Sequence, residues 1–197
     1  MDRVEECLFH LAAKAQKCRR CPLHRSRTHV VFGEGPAKAA GLLVGEAPGK
    51  AEDESGHPFT GRTGRYFDTA LASCGLNRDI LFITSAVKCR PPKNRDPSRE
   101  ELETCRVAWL DNQIALLDPP IVLVLGKIAY LQIFRDSADL RDVRGKFLDY
   151  DNRKWLVTYH PTAAMRFPRV RELFIHDLEK FSLALKVSPY SCFFEKK

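Results

Sequence analysis

The residues best equipped for chemistry in this chain are cysteines. Cys18 and Cys21 form a C-x2-C pair inside KCRRCPLHRSRTH, Cys89 sits in KCRPPKNR, and Cys105 follows on a stretch patterned like a helix. A C-x2-C pair offers a short, soft chelating bite that suits zinc or an iron–sulfur cluster. The two later cysteines, in surroundings rich in basic residues and proline, bring the set to four thiolate donors. Their spacing alone does not separate structural zinc from a 4Fe-4S cluster. There are seven cysteines in all, an odd number, behind a first stretch (MDRVEECLFHLAAKAQK) that mixes acids and bases with only short apolar runs. That pattern predicts no signal peptide and speaks against a disulfide framework. Cys7, on the apolar face of the first helical stretch, and Cys74, near the end of another, read as small core residues. Cys192, in the tail, has no evident partner.

The elements that must position these donors follow from hydrophobic patterning. Val4, Cys7, Leu8, Leu11 and Ala12 predict a helix from about Asp2 to Lys17. Continuous apolar runs at Gly41 to Gly45, Ile80 to Val87 and Ile121 to Gly126 suit parallel strands buried on both faces. A fourth run spans Trp155 to Tyr159. Helices are expected over Thr63 to Gly75, over KIAYLQIF, and over Val170 to Lys186. Another runs from Ser98 to Leu117, where Ser98 with Glu101 forms a capping box. Such alternation predicts an α/β fold, a three-layer α/β/α arrangement around a short central parallel sheet. Ligands in such folds bind outside the carboxyl ends of the strands. EAPGK, KCRPPKNR and HPTAAM all fall there, so these loops are expected to share one cleft. Residues 1–186 read as one domain and 187–197 as a C-terminal tail.

The chain has 197 residues, a net charge of +7, 44% hydrophobic and 29% charged residues. No apolar run approaches the ~20 residues of a membrane span. A cytoplasmic, nucleoid-associated monomer with no membrane partner is the expectation. Excess positive charge favours a polyanion, because displaced counterions drive its association. The charge is concentrated in loops: KCRRCPLHRSRTH, KCRPPKNR and MRFPRVR.

GEAPGKAEDESGHPFTGRTGR (Gly45 to Arg65), ITSAVKCRPPKNRDP (Ile83 to Pro97) and YHPTAAMRFP (Tyr159 to Pro168) resemble, in order, the three motif blocks of the family 4 uracil-DNA glycosylases. VFGEG (Val31 to Gly35) and VRGKF (Val143 to Phe147) resemble further signatures of that family, and the likeness runs from the first cysteine pair to about Lys186. The resemblance implies the uracil-glycosylase fold and a 4Fe-4S cluster on Cys18, Cys21, Cys89 and Cys105. It implies a DNA glycosylase that hydrolyses the bond from deoxyribose to uracil in single- or double-stranded DNA and leaves an abasic site for base excision repair. On the matching positions, Phe59 stacks on the flipped base, and His160 lies near its O2 to stabilise the leaving anion. Glu46 and Ala47 match the turn that lines the pocket and positions water; Glu46 either polarises that water or braces the loop by hydrogen bonds to Asn94, bracing being the favoured role. Arg62, Lys88, Arg90, Lys93 and Arg95 are candidate phosphate contacts. Met165, Arg166 and Phe167 stand where related enzymes carry the segment that wedges into the duplex.

Ser85 departs from the family pattern, which has an asparagine there to read the base edge. An amide offers both a donor and an acceptor at a reach that serine lacks. Two other readings follow. One is a glycosylase broadened toward hypoxanthine or xanthine; the other is a DNA-binding module whose catalysis has decayed. The covalently linking relatives carry a basic, histidine-containing insertion near the third motif, absent here. In the tail, VSPYSCFF (Val187 to Phe194) resembles a degenerate sliding-clamp motif without its usual glutamine.

Overall fold

The computed structural model describes residues 2–187; the tail residues 188–197, and most of the clamp-like segment with them, lie outside the described residues. A five-stranded sheet in the order β2-β1-β3-β5-β4 forms the middle layer. Its strands are β1 (Gly41–Gly45), β2 (Leu81–Ser85), β3 (Ile121–Leu125), β4 (Phe147–Tyr150) and β5 (Arg153–Thr158). β1, β2, β3 and β5 are parallel. β4 pairs antiparallel with β5, so the sheet is mixed at one edge. Asp151 and Asn152 both have positive φ, 49° and 57°, which is the backbone of a two-residue hairpin turn.

Strand alternation sorts the core into two sides. Leu43, Ile83, Leu123, Leu125 and Leu156 face α3 (Arg62–Ser73), α8 (Pro161–Arg166) and α9 (Pro168–Val187). Leu42, Val44, Phe82, Val122, Val124, Trp155 and Val157 face α1 (Arg3–Gln16), α5 (Asp111–Leu117) and α6 (Lys127–Phe134). Every residue of β1, β2 and β3 is buried, which explains why their sequences read as unbroken apolar runs. Short α2 (Lys50–Ser55) and α7 (Leu140–Val143) complete the set with α4 (Arg99–Cys105).

The expected helix after Ser98 forms, with both halves of its capping box: Ser98 Oγ accepts from Glu101 N at 3.2 Å and Glu101 Oε2 accepts from Ser98 N at 2.7 Å. It is interrupted by a wider π turn over Arg106–Leu110 between α4 and α5. That turn follows Cys105 directly. At the far side of the sheet, Arg144 from VRGKF pairs with the fully buried Asp177 of α9, which also accepts from Thr158 Oγ1 at 2.7 Å. This ties the end of β5 to α9.

Candidate active site and cysteine site

The chain order places β1 between β2 and β3, so the loops after β1 and β3 leave the sheet in opposite directions. A crevice opens where that happens. It is a cleft of about 730 Å³, and the EAPGK, KCRPPKNR and HPTAAM loops all contribute to it.

Phe59 lies in the cleft wall with its ring 5.0 Å from that of Phe67 and 6.0 Å from the His160 imidazole, inclined at 28° to the latter. Its φ of 52° is costly for a bulky residue, so neighbours must impose it. One is Gly64 in the first turns of α3, where a Cβ would overlap the Phe59 carbonyl. Another is Arg78, whose guanidinium donates to the Pro58 carbonyl at 2.5 Å and the Phe59 carbonyl at 3.4 Å. Gly64 lies within the first motif block, whereas Arg78 belongs to none of the quoted motifs.

His160 caps α8. Its Nδ1 accepts the Thr162 N–H at 3.3 Å and sits 3.0 Å from Thr162 Oγ1. With Nδ1 occupied as an acceptor, the proton of the neutral ring belongs on Nε2. Burial pushes the pKa down to about 4, so the ring is neutral at physiological pH.

Glu46 follows β1. Burial pushes its pKa up to about 7, with the nearby Asp96 charge acting the same way. Its Oε1 accepts from Ile128 N at 3.3 Å, at the start of α6. The expected brace from Asn94 is not formed: Asn94 Oδ1 instead accepts from Arg90 Nε at 2.7 Å. Gly126, at φ 95°, has no room for a side chain because Glu46 Oε1 and His160 Cβ fill the space. The absence of a Cβ there lets the acid and the imidazole approach.

Ser85 is 5% exposed, in register with Gly45, and lines the cleft. Ala47, Asn94 and Arg95 line it too, as do Arg62, Arg166 and Phe167 on the opposite wall. Arg95 is already engaged by Glu101 in a two-pronged pair at 2.7 and 2.8 Å. Arg90 and Lys93, on the KCRPPKNR loop, and Met165, in α8, lie outside the cleft lining. Lys50 and Lys127, which sequence reasoning passed over, do line it.

Lys88 is a correction. Expected to face phosphate, it is only 1% exposed, its Nζ donating to Thr84 Oγ1 at 2.6 Å and to the Ser85 carbonyl at 2.7 Å. The chain turns inward after β2, and the residue preceding Cys89 follows it.

The four cysteines of the expected set line one tight cavity of about 10 Å³ together with Trp109, whose ring lies under the Arg20 guanidinium at 5.6 Å. Cys89 and Cys105 are buried, Cys18 and Cys21 half-buried. The sulfurs already receive donors: Arg27 Nη1 reaches Cys89 Sγ at 3.2 Å and Lys88 N reaches Cys105 Sγ at 3.3 Å. Burial pushes the Cys105 thiol up to about 12 and raises Cys89 and Cys21 as well. Among the described residues no three His, Cys, Asp or Glu side chains converge on the site of a single metal ion; the thiols sit around a shared space.

Residues 32–182 match the family model of the Uracil DNA glycosylase superfamily. The chain is 43% identical over 176 residues to a type-4 uracil-DNA glycosylase of Pyrobaculum aerophilum, covering 84% of this chain and 88% of that one. A protein of the same name from Archaeoglobus fulgidus is 37% identical, with 89% and 92% covered. One from Thermotoga maritima is 36% identical, with 92% and 96% covered. Matched along most of its length and carrying the three motif loops in one cleft, the chain belongs to the type-4 uracil-DNA glycosylases of the Uracil DNA glycosylase superfamily.

Proposed function

We propose that this protein hydrolyses the N-glycosidic bond of uracil in DNA and leaves an abasic site, with a 4Fe-4S cluster on Cys18, Cys21, Cys89 and Cys105. The observation that carries the activity is the meeting of a neutral imidazole, a buried carboxyl and an aromatic face in one cleft, with Phe59 and His160 6.0 Å apart.

A base flipped out of the stack enters the cleft and gains about 1–3 kcal/mol on the Phe59 face. As the bond from C1′ to the base nitrogen breaks, its electron pair moves into the ring. The His160 Nε2–H stands as a preorganised donor for the charge that develops on a base oxygen. Water bonds to C1′ and gives up a proton that ends on the departing base; Glu46, fixed by Ile128 N, orients that water as a carboxylate. Arg62, Lys50, Lys127 and Arg166 supply positive charge along the cleft for phosphates, and Phe167, 54% exposed, is placed to fill the gap in the stack.

Four thiols and two sulfur-directed N–H donors support the cluster, since Cys₄ sets with hydrogen-bonded sulfurs suit iron–sulfur groups. Buried neutral thiols need adjacent positive charge to ionise, and iron supplies it. When bound, the cluster crosslinks the N-terminal segment to the loop after β2 and to α4. Iron and sulfide analysis of anaerobically purified protein checks the assignment: about four of each per chain are expected.

Excision from oligonucleotides with a single uracil, hypoxanthine or xanthine, scored by alkaline cleavage at abasic sites, tests the activity. Failure on all three would overturn it. Ser85 supports a reading in which uracil excision is slower and the other deaminated bases are also accepted, because a hydroxyl makes one short bond where an amide makes two. Ser85→Asn is expected to raise uracil excision about 5–10-fold; no gain would discard the missing amide as the cause.

The Glu46 titration predicts a pH profile. Its pKa in the fold lies above the usual carboxylate value, so the carboxylate needed to orient water appears as pH rises through about 7. Single-turnover excision is expected to climb across that range, and Glu46→Gln to flatten the profile and lower its plateau about 10²-fold. An unchanged profile in the variant would remove Glu46 from the water-positioning role.

A further inference from the structure

Among the described residues Lys88 is the one lysine buried in the core, and nothing in the reaction above uses it. Burying an amine is costly unless its donors are satisfied. Nζ donates to Thr84 Oγ1 and to the Ser85 carbonyl, at 2.6 and 2.7 Å. Among the described residues no carboxylate pairs with it; the ionisable groups that bear on it are Cys105 and Cys89. Its main chain is engaged on both sides. The N–H donates to Cys105 Sγ at 3.3 Å, and the carbonyl accepts from Val31 N at 2.8 Å, in the segment that follows the first cysteine pair. Lys88 also lines the cysteine cavity, while Ser85 lines the cleft. A single residue therefore touches both sites, one through its backbone and the other through its side chain.

The position of the contact matters. Ser85 ends β2, and its side chain stands beside the edge of the Phe59 ring, the Oγ and the ring tip both crowding the face of Gly45. The carbonyl held by Nζ belongs to the same residue, so it fixes the peptide plane from which the Ser85 hydroxyl projects. Thr84, the other acceptor, is anchored by its own Oγ1 to the Phe32 carbonyl at 2.8 Å. We propose that Lys88 is a positioning residue that transmits the order of the cysteine site to the base pocket by holding the Ser85 carbonyl. The inference rests on the uracil-excision reading above. It supplies what the four cysteines lack, a physical connection to the chemistry.

The test is Lys88→Met, close in length and volume but without donors, studied as cluster-loaded protein. Iron content, visible absorbance of the cluster and affinity for uracil-containing duplex are expected to stay within about twofold of wild type, with an unchanged salt slope. Single-turnover uracil excision is expected to fall about 10–100-fold, because a small misplacement at the reacting site suffices for such a loss. The inhibition constant for free uracil is expected to rise, and amide exchange at residues 84–88 to quicken about tenfold. A merely space-filling lysine predicts loaded, folded protein with normal excision and normal uracil inhibition, and that result would overturn the proposal. So would weakened DNA binding with a salt slope reduced by about one, the signature of a phosphate contact. Should the Met variant not assemble, Lys88→Gln retains a shorter donor and is expected to load and to excise at an intermediate rate. If neither variant holds iron, Lys88 serves assembly alone and the proposal fails. Wild-type protein inactive on every base would strike the functional reading instead; the exchange measurement then decides whether Lys88 orders the end of β2, and unchanged exchange would sink that as well.

Discussion

His160→Ala is expected to slow uracil excision about 10²–10³-fold at neutral pH, the cost of removing a single preorganised donor to a developing anion. DNA affinity should stay within about twofold, since the imidazole faces the base and not the backbone. The size of the effect follows from the geometry. Thr162 N–H occupies Nδ1, which leaves Nε2–H as the donor, and burial holds the ring neutral with a pKa near about 4. A neutral donor costs less to keep in the buried cleft than an imidazolium would, and it gains as negative charge appears. The rise near pH 7 expected from Glu46 should therefore persist in His160→Ala, because the imidazole adds no step of its own near the ordinary histidine value of about 6.5. Stability offers a second check. Because the folded pKa lies below the unfolded one, the unfolded chain binds more protons between about pH 6.5 and about pH 4. The contribution of His160 to stability is present above that window and is lost as pH falls through it. His160→Ala should remove this part of the acid sensitivity. Excision by the variant within tenfold of wild type would dismiss the donor role.

The second large effect is expected from Gly64→Ala. In an ordinary helix this exchange stabilises by roughly 1 kcal/mol. Here the new methyl would overlap the carbonyl of Phe59, a backbone atom that cannot rotate aside. Either α3 shifts or the Phe59 loop abandons its left-handed conformation. The expected outcome is a loss of about 1–3 kcal/mol of stability, read by thermal or urea unfolding. Excision should fall about 10–100-fold as the stacking face moves. Arg78→Ala pulls on the same loop from behind and should act in the same direction but more weakly, since it releases the loop without displacing it. Gly64→Ala with wild-type stability and excision would show that Phe59 is positioned by something else.

How much of this was legible in the sequence depends on how local its cause is. β1, β2 and β3 were visible because helices cover both faces, leaving no polar alternation to confuse the pattern. Ser98 and Glu101 announced their helix because a capping box is a contact between residues three apart. β4 left no such mark. It is an exposed edge strand, and Phe147 and Tyr150 face solvent at 40% and 47%. Lys88 was misplaced for the same reason in reverse: its basic neighbours suggested a surface loop, whereas the turn after β2 directs it into the core. The brace on Glu46 comes from Ile128 N, a partner chosen by the packing of β3 and α6 against β1, which no local spacing encodes. Arg78 acts on Phe59 by similar long-range placement, whereas Gly64 acts from within the same motif block.

The cysteine cavity also has a consequence for the order of events during synthesis. Cys18 and Cys21 leave the ribosome early, but Cys89 and Cys105 lie beyond β1, α2, α3 and β2 in the chain. A nascent chain therefore presents only two donors until α4 has been made, and by then the first strands are free to pair, since N-terminal segments organise first during translation. If these cysteines hold the proposed 4Fe-4S cluster, its loading would be a late step, and a shortage of iron at that moment would leave a chain with its sheet begun and the loop after β2 untied.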